Sequence, residues 1–557
     1  MSKKLKVFSL GGLDEIGKNI AVLEYGDDII AIDCGVAFPD DDMPGVDLVI
    51  PDFAYLIANK KKVRGLVLTH GHEDHIGATP YFLREINAPV YGTKLTLGLL
   101  SNKLKEHEHT LQAPPRLEVK RFGEIFSLGA FKIELLAVTH SIADSAAVAV
   151  HTPLGTVIHS GDFKIDHTPI SKQKMDLQRF AQIGSDGVLL FMCESTNIEQ
   201  KGFTMSERSV GAILDDIFDQ TPNSRIMVAT FSSNIDRIQQ ILNSAQKHNR
   251  KALFIGRSMI NAASTAIELG YLSAPPKLII EPHELINYDD GEIVIITTGS
   301  QGEPMSVLSR MAQSEHKQIE VKAGDKIIIS AAPIPGNEKT VNRVIDSLMQ
   351  KGAEVIYYGL MEAHVSGHAK QEEIKLLHAL IKPKYFMPIH GAHRHLNHHK
   401  NIAVSLGMKE ENIFVIQNGE VLEISDSGAR ITESVQSGYL LVDGSIVGDV
   451  GSVVLNDRRR LAKDGLVIVV ASICHDAGRI ITLSGPDIVS RGFVYVKESE
   501  ELMREAKDFA AEILYICSER GVTDWGLLRN AIRDNMRDFF WRQTKRNPMI
   551  LPIIMQM

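Results

Sequence analysis

Apolar and polar positions change places in short bursts along this chain, and many bursts stop at Gly, Asp, Asn or His. Residues 6–10, 19–24 and 29–33 carry strand patterns, with a Gly-rich turn between the first two. Short strands and helices alternate up to about residue 200. Residues 206–220 then read as an amphipathic helix. Beyond it, strand-like runs at 225–229, 251–255, 291–297 and 326–330 alternate with helical stretches such as 235–248. Alternation of this kind predicts a parallel sheet, and its extent predicts a separate domain inserted at 206–365. Residues 385–389 read as a strand again. Residues 425–438 are polar and patternless, which predicts a linker. From about 450 a small α/β unit follows, with strands near 466–472 and 479–483 and helices near 498–519 and 524–543. The expected organisation is a first domain in two parts (1–205 and 366–427) around the 206–365 insert, a linker at 428–450 and a unit at 451–557.

Composition narrows the class without deciding it. The chain has 557 residues, 44% hydrophobic and 23% charged, which is ordinary for a globular protein of several domains. No run of about 18 apolar residues occurs, so no membrane insertion is expected. The basic start at residues 1–6 lacks the long apolar stretch of a signal peptide. Four cysteines (Cys34, Cys193, Cys474 and Cys517) lie far apart, so no Cys-x-x-Cys zinc site exists. Cys34 and Cys193 fall in apolar runs and are read as buried thiols, in keeping with a cytoplasmic location. A net charge of −9 argues against a nonspecific polyanion binder but leaves room for a local basic cleft. Residues 12–19 (GLDEIGKN) nearly match the phosphate loop G-x4-G-K-[ST]. Asn19 stands where that loop needs a hydroxyl for magnesium, so the nucleotide-triphosphate reading is set aside.

The candidate chemistry lies at strand ends. Residues 65–69 are an apolar run followed by HGHEDH, which offers His70, His72, Asp74 and His75 as ligands. Side chains at alternate positions of a strand share one side, which groups His70, His72 and Asp74, and a bend brings in His75. Imidazoles with a carboxylate suit zinc or a similar divalent ion. Three more apolar runs each stop at one ligand-type residue: His140, Asp162 and His390. Singly these are ordinary strand ends. Other histidines are given bland readings: His159 points away, His107 and His109 lie on the surface, and His393, His395, His398 and His399 form a solvated helix start.

H-x-H-x-D-H followed by these strand ends in this order resembles the metallo-β-lactamase fold. The resemblance implies an αββα sandwich, with an inserted α/β domain of β-CASP type and a small C-terminal α/β domain. It assigns His70, His72 and His140 to one divalent ion and Asp74, His75 and His390 to a second, with Asp162 bridging. The ions are expected to be zinc, with manganese or magnesium as alternatives. An anionic bridge of this kind holds two cations close, where water is activated at neutral pH. The fold alone hosts lactonases, thioesterases and nucleases. An acid at Glu194, His368 and the metal-type His390 bracket the insert as the β-CASP nuclease motifs do. Residues 11–19, 230–237 (TFSSNIDR), 298–304 (TGSQGEP), 333–337 (PIPGN) and 484–493 (SGPDIVSRGF) are similar to bacterial ribonuclease J, from residue 6 to the C-terminal PMILP.

That resemblance implies a metal-dependent enzyme of RNA decay and maturation, acting on messenger and ribosomal RNA. Both internal cleavage and 5′→3′ exonuclease action are implied, with a preference for single-stranded 5′-monophosphate RNA. It places Glu194 behind His368, the proposed acid for the leaving oxygen, and phosphates against Ser232, Ser233, Arg237, His364, Ser366, Gly367, Gly391 and Ala392. Ala392 departs from the Glu expected after His-Gly in much of the family. Phe38 and Phe231 are read chiefly as buried packing, with base stacking as the alternative. Arg529, Arg533 and Arg537 share a helix face that is read as solvated. A homodimer or homotetramer is carried over, together with a paralogous subunit or other RNA-decay proteins as partners. The rivals are a small-molecule metallo-hydrolase of lactonase or thioesterase type, which needs no such insert, and a silent scaffold subunit, whose ligand set would be broken.

Overall fold

A computed structural model describes residues 4–556 except 41, 172, 302–305, 334–336, 359–363, 477–478 and 495–498. Parts of three expected features therefore lie outside the described residues: 302–304 and 334–336 of two family motifs, and 498 at the start of a predicted helix. The described chain forms two compact units, one of residues 1–37 and 50–439, the other of 38–49 and 440–557.

The first unit contains a sandwich of two mixed sheets. One has eight strands, with Leu5–Gly11, Ile20–Tyr25, Asp28–Ile32 and Val63–Val67 at its centre. The other has six, in the order Tyr385–Ile389, Val188–Glu194, Gly155–His159, Ala146–Thr152, Phe131–Ala137 and Ile125–Leu128. Alternate residues meet between them. Val7, Leu23, Ile30 and Val67 from one sheet pack against Ile133, Leu135, Val148, Leu190 and Met387 from the other. The second sheet's outer face (Leu136, Ile158, Phe191, Phe386) is covered by Phe180, Ile374, Leu377 and Ile402 from three helices. Burial on both faces explains why these strands read as continuous apolar runs rather than as alternation.

The insert is a five-stranded sheet, parallel throughout, in the order Lys251–Ile255, Ile293–Thr297, Ile226–Ala229, Lys326–Ile329 and Glu354–Ile356. Helices cover both faces: Arg208–Gln220, Ile235–Lys247 and Arg257–Leu269 on one, Glu338–Gln350 on the other. One expectation fails here. Residues 428–434 are not a linker but the strand Gly428–Ser434, paired antiparallel with Glu420–Ser425 at the edge of the eight-stranded sheet. An edge strand with half-exposed residues on both faces lacks the apolar alternation that would have revealed it.

The second unit has the strands Arg479–Arg491, Leu466–Asp476 and Met549–Gln556 in that order. Val467, Val469, Ala471 and Ile473 pack on Ala506, Leu514, Ile532 and Phe540 of helices Glu500–Glu519 and Trp525–Thr544. Residues 38–49, expected in the first domain, belong to this unit. The Arg458 guanidinium donates to the Pro44 and Gly45 carbonyls, and Arg459 donates to that of Asp42. Phe38 is 62% exposed, which overturns its expected burial. Among the described residues no helix is long and apolar enough to cross a membrane.

Candidate metal centre

Parallel pairing sets several strand ends along one edge. Asp28–Ile32 runs parallel to Val63–Val67, and Gly155–His159, Val188–Glu194 and Tyr385–Ile389 run parallel to one another. Their carboxyl ends deliver Asp33, His70, Asp162, Glu194 and His390, and Phe131–Ala137 leads to His140. Such carboxyl-end crevices are where α/β proteins collect polar side chains. The expected strand alternation does not extend to Asp74. His72 caps a helical turn, Glu73–Ile76, and this turn presents Asp74 and His75.

Seven side chains make two overlapping groups, and a third joins Asp162 and His390 to Glu194 and His368. In the first, His72 Nδ1 lies 3.1 Å from His70 Nε2 and 3.2 Å from His140 Nε2. Asp162 Oδ2 is 3.7 Å from His70 Nε2 and 3.8 Å from His140 Nε2. In the second, His75 Nε2 lies 3.2 Å from Asp162 Oδ2 and 3.5 Å from Asp74 Oδ2, which is 3.4 Å from His390 Nε2. Four donors around one ion at zinc–nitrogen distance stand roughly 3.3 Å apart, close to these spacings.

Hydrogen bonds fix which nitrogen of each ring carries a lone pair. Thr69 gives its hydroxyl hydrogen to Asp33, so His70 Nδ1–H must donate to Thr69 Oγ1, at 2.9 Å. His75 Nδ1 donates to Asp33 Oδ2 at 2.8 Å, and His140 Nδ1 to the Gly367 carbonyl at 2.7 Å. His390 Nδ1 meets Asp162 Oδ1 at 2.9 Å. Each remaining Nε2 turns its lone pair into the group, an outer arrangement that orients metal ligands. His390 Nε2 is buried and makes no hydrogen bond. This basic nitrogen, 3.4 Å from Asp74 Oδ2, is placed to take a cation or a proton. Asn19 donates to the Asp74 carbonyl and lies 3.2 Å from His75 Nε2.

Electrostatics agree. Burial drives His70 and His140 well below the ordinary imidazole value and His72 to about 4. Burial also opposes a proton on His390, but Asp162 and Asp74 outweigh it and push it up to about 10, so a proton and a cation compete for the same Nε2 lone pair. Burial opposes the charge on Asp162 and Asp74 as well, yet His390 and His75 hold both carboxyls well below their usual range. The buried Asp162 and half-buried Asp74 thus favour positive charge beside them, and the nitrogen-rich donor set suits zinc or a similar divalent ion.

Beside this cluster, Glu194 Oε2 accepts from His368 Nδ1 at 2.8 Å while its Oε1 accepts from the Phe163 N–H. Burial works against a proton on His368, but Glu194 and Asp162 hold its pKa above the ordinary value. Gly367 allows this close approach, because a Cβ there would lie 2.6 Å from the His140 ring. Ser366 Oγ accepts from Asn197 Nδ2 at 2.7 Å and from the His368 N–H, leaving its own hydrogen to donate. Ser232 and Ser233 are half-buried, and Ser232 lines an open cleft of about 570 Å³ that includes Glu73, Arg257, Ser258, Ser300 and Arg310.

Four expected phosphate contacts look different in place. Arg237 is fully buried; it grips Glu207 through two bonds of 2.6 and 2.9 Å and donates to Ser330 and His364, so its charge is met inside the protein. Burial, with Arg237 and Lys164 beside it, lowers His364 to about 3 and leaves that ring neutral. Gly391 and Ala392 form a two-residue strand paired with Leu13 and Asp14, not an open nest of N–H groups. The expected solvated helix start is also overturned: His395 and His399 are buried, while His393 is exposed. The helix His393–Ser405 packs its Leu396, Ile402 and Ala403 inward, and the same face carries the two rings.

Sequence reading missed Asp33, Thr69, Asn19 and Asn197. Asp33 had a visible signal, since it too ends an apolar strand, but no neighbouring histidine drew attention to it. Asn197 had none, because its partners are 169 and 171 residues away.

Comparison with known proteins gives a consistent picture. Residues 13–174 match the metallo-beta-lactamase superfamily and 361–416 the Zn-dependent metallo-hydrolase RNA specificity domain. Residues 223–348 match the ribonuclease J beta-CASP domain and 453–557 the ribonuclease J C-terminal domain. The chain is 40% identical over 555 residues to Ribonuclease J2 of Bacillus subtilis, covering 100% of this chain and 99% of that protein. It is 42% identical to Ribonuclease J 1 of Streptococcus pyogenes, with 99% and 97% covered. For Ribonuclease J of Synechocystis sp. the identity is 43%, with 99% and 86% covered. A crystal structure of a protein of unknown function from Enterococcus faecalis V583 shares the fold, with a TM-score of 0.52 at 18% identity over 75% of this chain and 100% of that one.

Proposed function

The chain belongs to the ribonuclease J family and is a metal-dependent hydrolytic nuclease acting on RNA; from that premise we propose that it degrades RNA stepwise 5′→3′, favouring 5′-monophosphate ends, and also cuts internally. Its targets on this reading are messenger and ribosomal RNA in the cytoplasm, and it works as a homodimer or homotetramer with other RNA-decay proteins. His70, His72, His140 and Asp162 would hold one divalent ion, and Asp74, His75, His390 and Asp162 a second, zinc in preference to manganese or magnesium. Two such ions supply positive charge for phosphate oxygens and activate water at neutral pH.

The observation that carries the reading is the Glu194–His368 pair, whose Nδ1 stands 3.8 Å from Asp162 Oδ2, the carboxylate oxygen common to both ligand groups. Glu194 accepts a hydrogen bond from Nδ1–H, which fixes the ring, and the opposite nitrogen is left to protonate the leaving 3′-oxygen. The environment that favours a proton on His368 suits an acid at neutral pH. Ser366, its hydroxyl held by Asn197, donates to a phosphate next to the scissile bond. Ser232 and Ser233 contact phosphates as neutral donors. Arg237 acts indirectly by fixing the loop that carries them.

The test is digestion of end-labelled 5′-monophosphate RNA with both product ends mapped, for wild type, chelator-treated protein and His368→Ala. Mononucleotides and internal fragments are expected, both lost on chelation. Hydrolysis that survives chelation, or products ending in 3′-phosphate, would overturn the proposal.

A further inference from the structure

A line of three polar side chains runs through apolar surroundings behind the centre. Ser195 Oγ lies 2.9 Å from His399 Nδ1, and His399 Nε2 lies 3.1 Å from His378 Nε2. All three residues are buried, Ser195 and His399 completely. Phe386 packs on both imidazoles at 4.6 Å between ring centroids, and Phe191 on His378 at 5.2 Å. Both rings are neutral: burial lowers His378 to about 4 and His399 well below its ordinary value. Two neutral ring nitrogens at this distance share a single hydrogen, so the line has one direction at a time. An apolar side chain would fill this space without desolvating polar atoms, so the line is better explained by the geometry it fixes.

The members sit at informative places. Ser195 follows Glu194, and its N–H donates to the His390 carbonyl, which also accepts from Thr196 Oγ1. A Cβ added at Gly391 would lie 3.3 Å from Ser195 Cβ, so the two segments touch. His399 is on the helix His393–Ser405, directly after His390 and its short strand. His378 is on the helix Gln371–Ile381, which begins just after His368. The line therefore ties together the three segments that carry Glu194, His368 and His390.

We propose that Ser195, His399 and His378 are positioning residues that hold the Glu194–His368 pair in register with His390. The inference rests on the nuclease reading above. Displacement of a reacting group by about 1 Å costs on the order of 100-fold in rate. Ser195→Ala and His399→Leu should each lower turnover roughly 10- to 100-fold, with KM changed less than about twofold. Bound metal should be unchanged, and the double variant should be no slower than the worse single one, because the members act as a unit. His399→Asn, whose amide reaches the position of the ring Nδ1 and restores the Ser195 bond but not the His378 bond, should recover part of the turnover. A packing role alone predicts the opposite order, with leucine better tolerated among Phe191 and Phe386 than asparagine.

The measurement is single-turnover decay of 5′-monophosphate RNA, with metal content and melting temperature on the same samples. Equal rates for the Leu and Asn variants, or losses that follow melting temperature or KM, would overturn the positioning role. If His399→Leu does not fold, Ser195→Ala decides, and wild-type turnover there rejects the line. Full activity of His368→Ala would instead remove the acid role of the Glu194–His368 pair on which the inference rests. An inactive His368→Ala beside a normal Ser195→Ala would reject the positioning role alone.

Discussion

At the scale of single residues, the centre separates groups that hold charge from a group that moves a proton. His72 Nδ1 has two ring nitrogens as neighbours at 3.1 and 3.2 Å and so lies at the heart of the first ligand group. His72→Ala should abolish hydrolysis and lower bound metal, measured by elemental analysis. His368→Ala should keep its metal while losing roughly 100- to 10,000-fold in turnover, the usual worth of a general acid; metal loss in that variant would place His368 among the ligands instead. Asp33 gives a subtler case. It accepts from Thr69 and His75 and so sets the tautomers of His70 and His75 from behind. Asp33→Ala should weaken metal affinity about 10- to 100-fold without removing a ligand. Chelator competition checks this, and unchanged affinity would show that the rings need no such support.

At the scale of elements, buried polar contacts fix how segments meet. Arg237, on the helix Ile235–Lys247, joins Glu207 ahead of the helix Arg208–Gln220 and the Ser330 carbonyl after a strand of the parallel sheet. Removing one partner of a buried ion pair leaves the other uncompensated, at about 3–5 kcal/mol. Arg237→Met should show that loss in urea unfolding, and adding Glu207→Leu should recover much of it. The helix carrying His378 predicts a pH effect. Its folded value is about 4, below the roughly 6.5 of an exposed imidazole. Between those values the unfolded chain binds the extra proton, so stability falls as pH drops from about 6.5 toward 4, by up to about 3 kcal/mol for this group. His378→Gln should flatten the slope of stability between pH 6.5 and 4; an unchanged slope would mean that the ring is protonated when folded.

At the scale of the whole molecule, the lining beside the centre bears on which RNA ends it takes. Ser366, Ser232 and Ser233 offer neutral donors, the buried Arg237 and neutral His364 add no exposed charge, and Arg257 and Arg310 line the cleft beside Ser232. Exonucleolytic decay is expected to be much faster on 5′-monophosphate than on 5′-triphosphate RNA, and internal cutting nearly indifferent to the end. Comparison of the two substrates in single-turnover decay, with Ser366→Ala alongside, checks this. Equal exonucleolytic rates would favour an open groove without end selection.

What the sequence by itself determined was local. Apolar runs ending at His70, His140, Asp162 and His390 were legible because strand pattern and ligand chemistry both reside in a few consecutive residues. The parallel insert was legible because its strands and helices alternate with regular spacing. Family resemblance linked these pieces in the right order. Tertiary structure decided what depends on distant partners. Arg237, which reads as a phosphate contact, is a buried ion-pair partner because Glu207 folds against it. His399, which reads as solvated, is buried because its helix turns that face toward Phe386. Residues 428–434 became a strand only by pairing with Glu420–Ser425, and 38–49 joined the C-terminal unit through Arg458 and Arg459. In each case the deciding contact is with a group that local pattern does not indicate, since burial and pairing are properties of the folded neighbourhood and not of the residue.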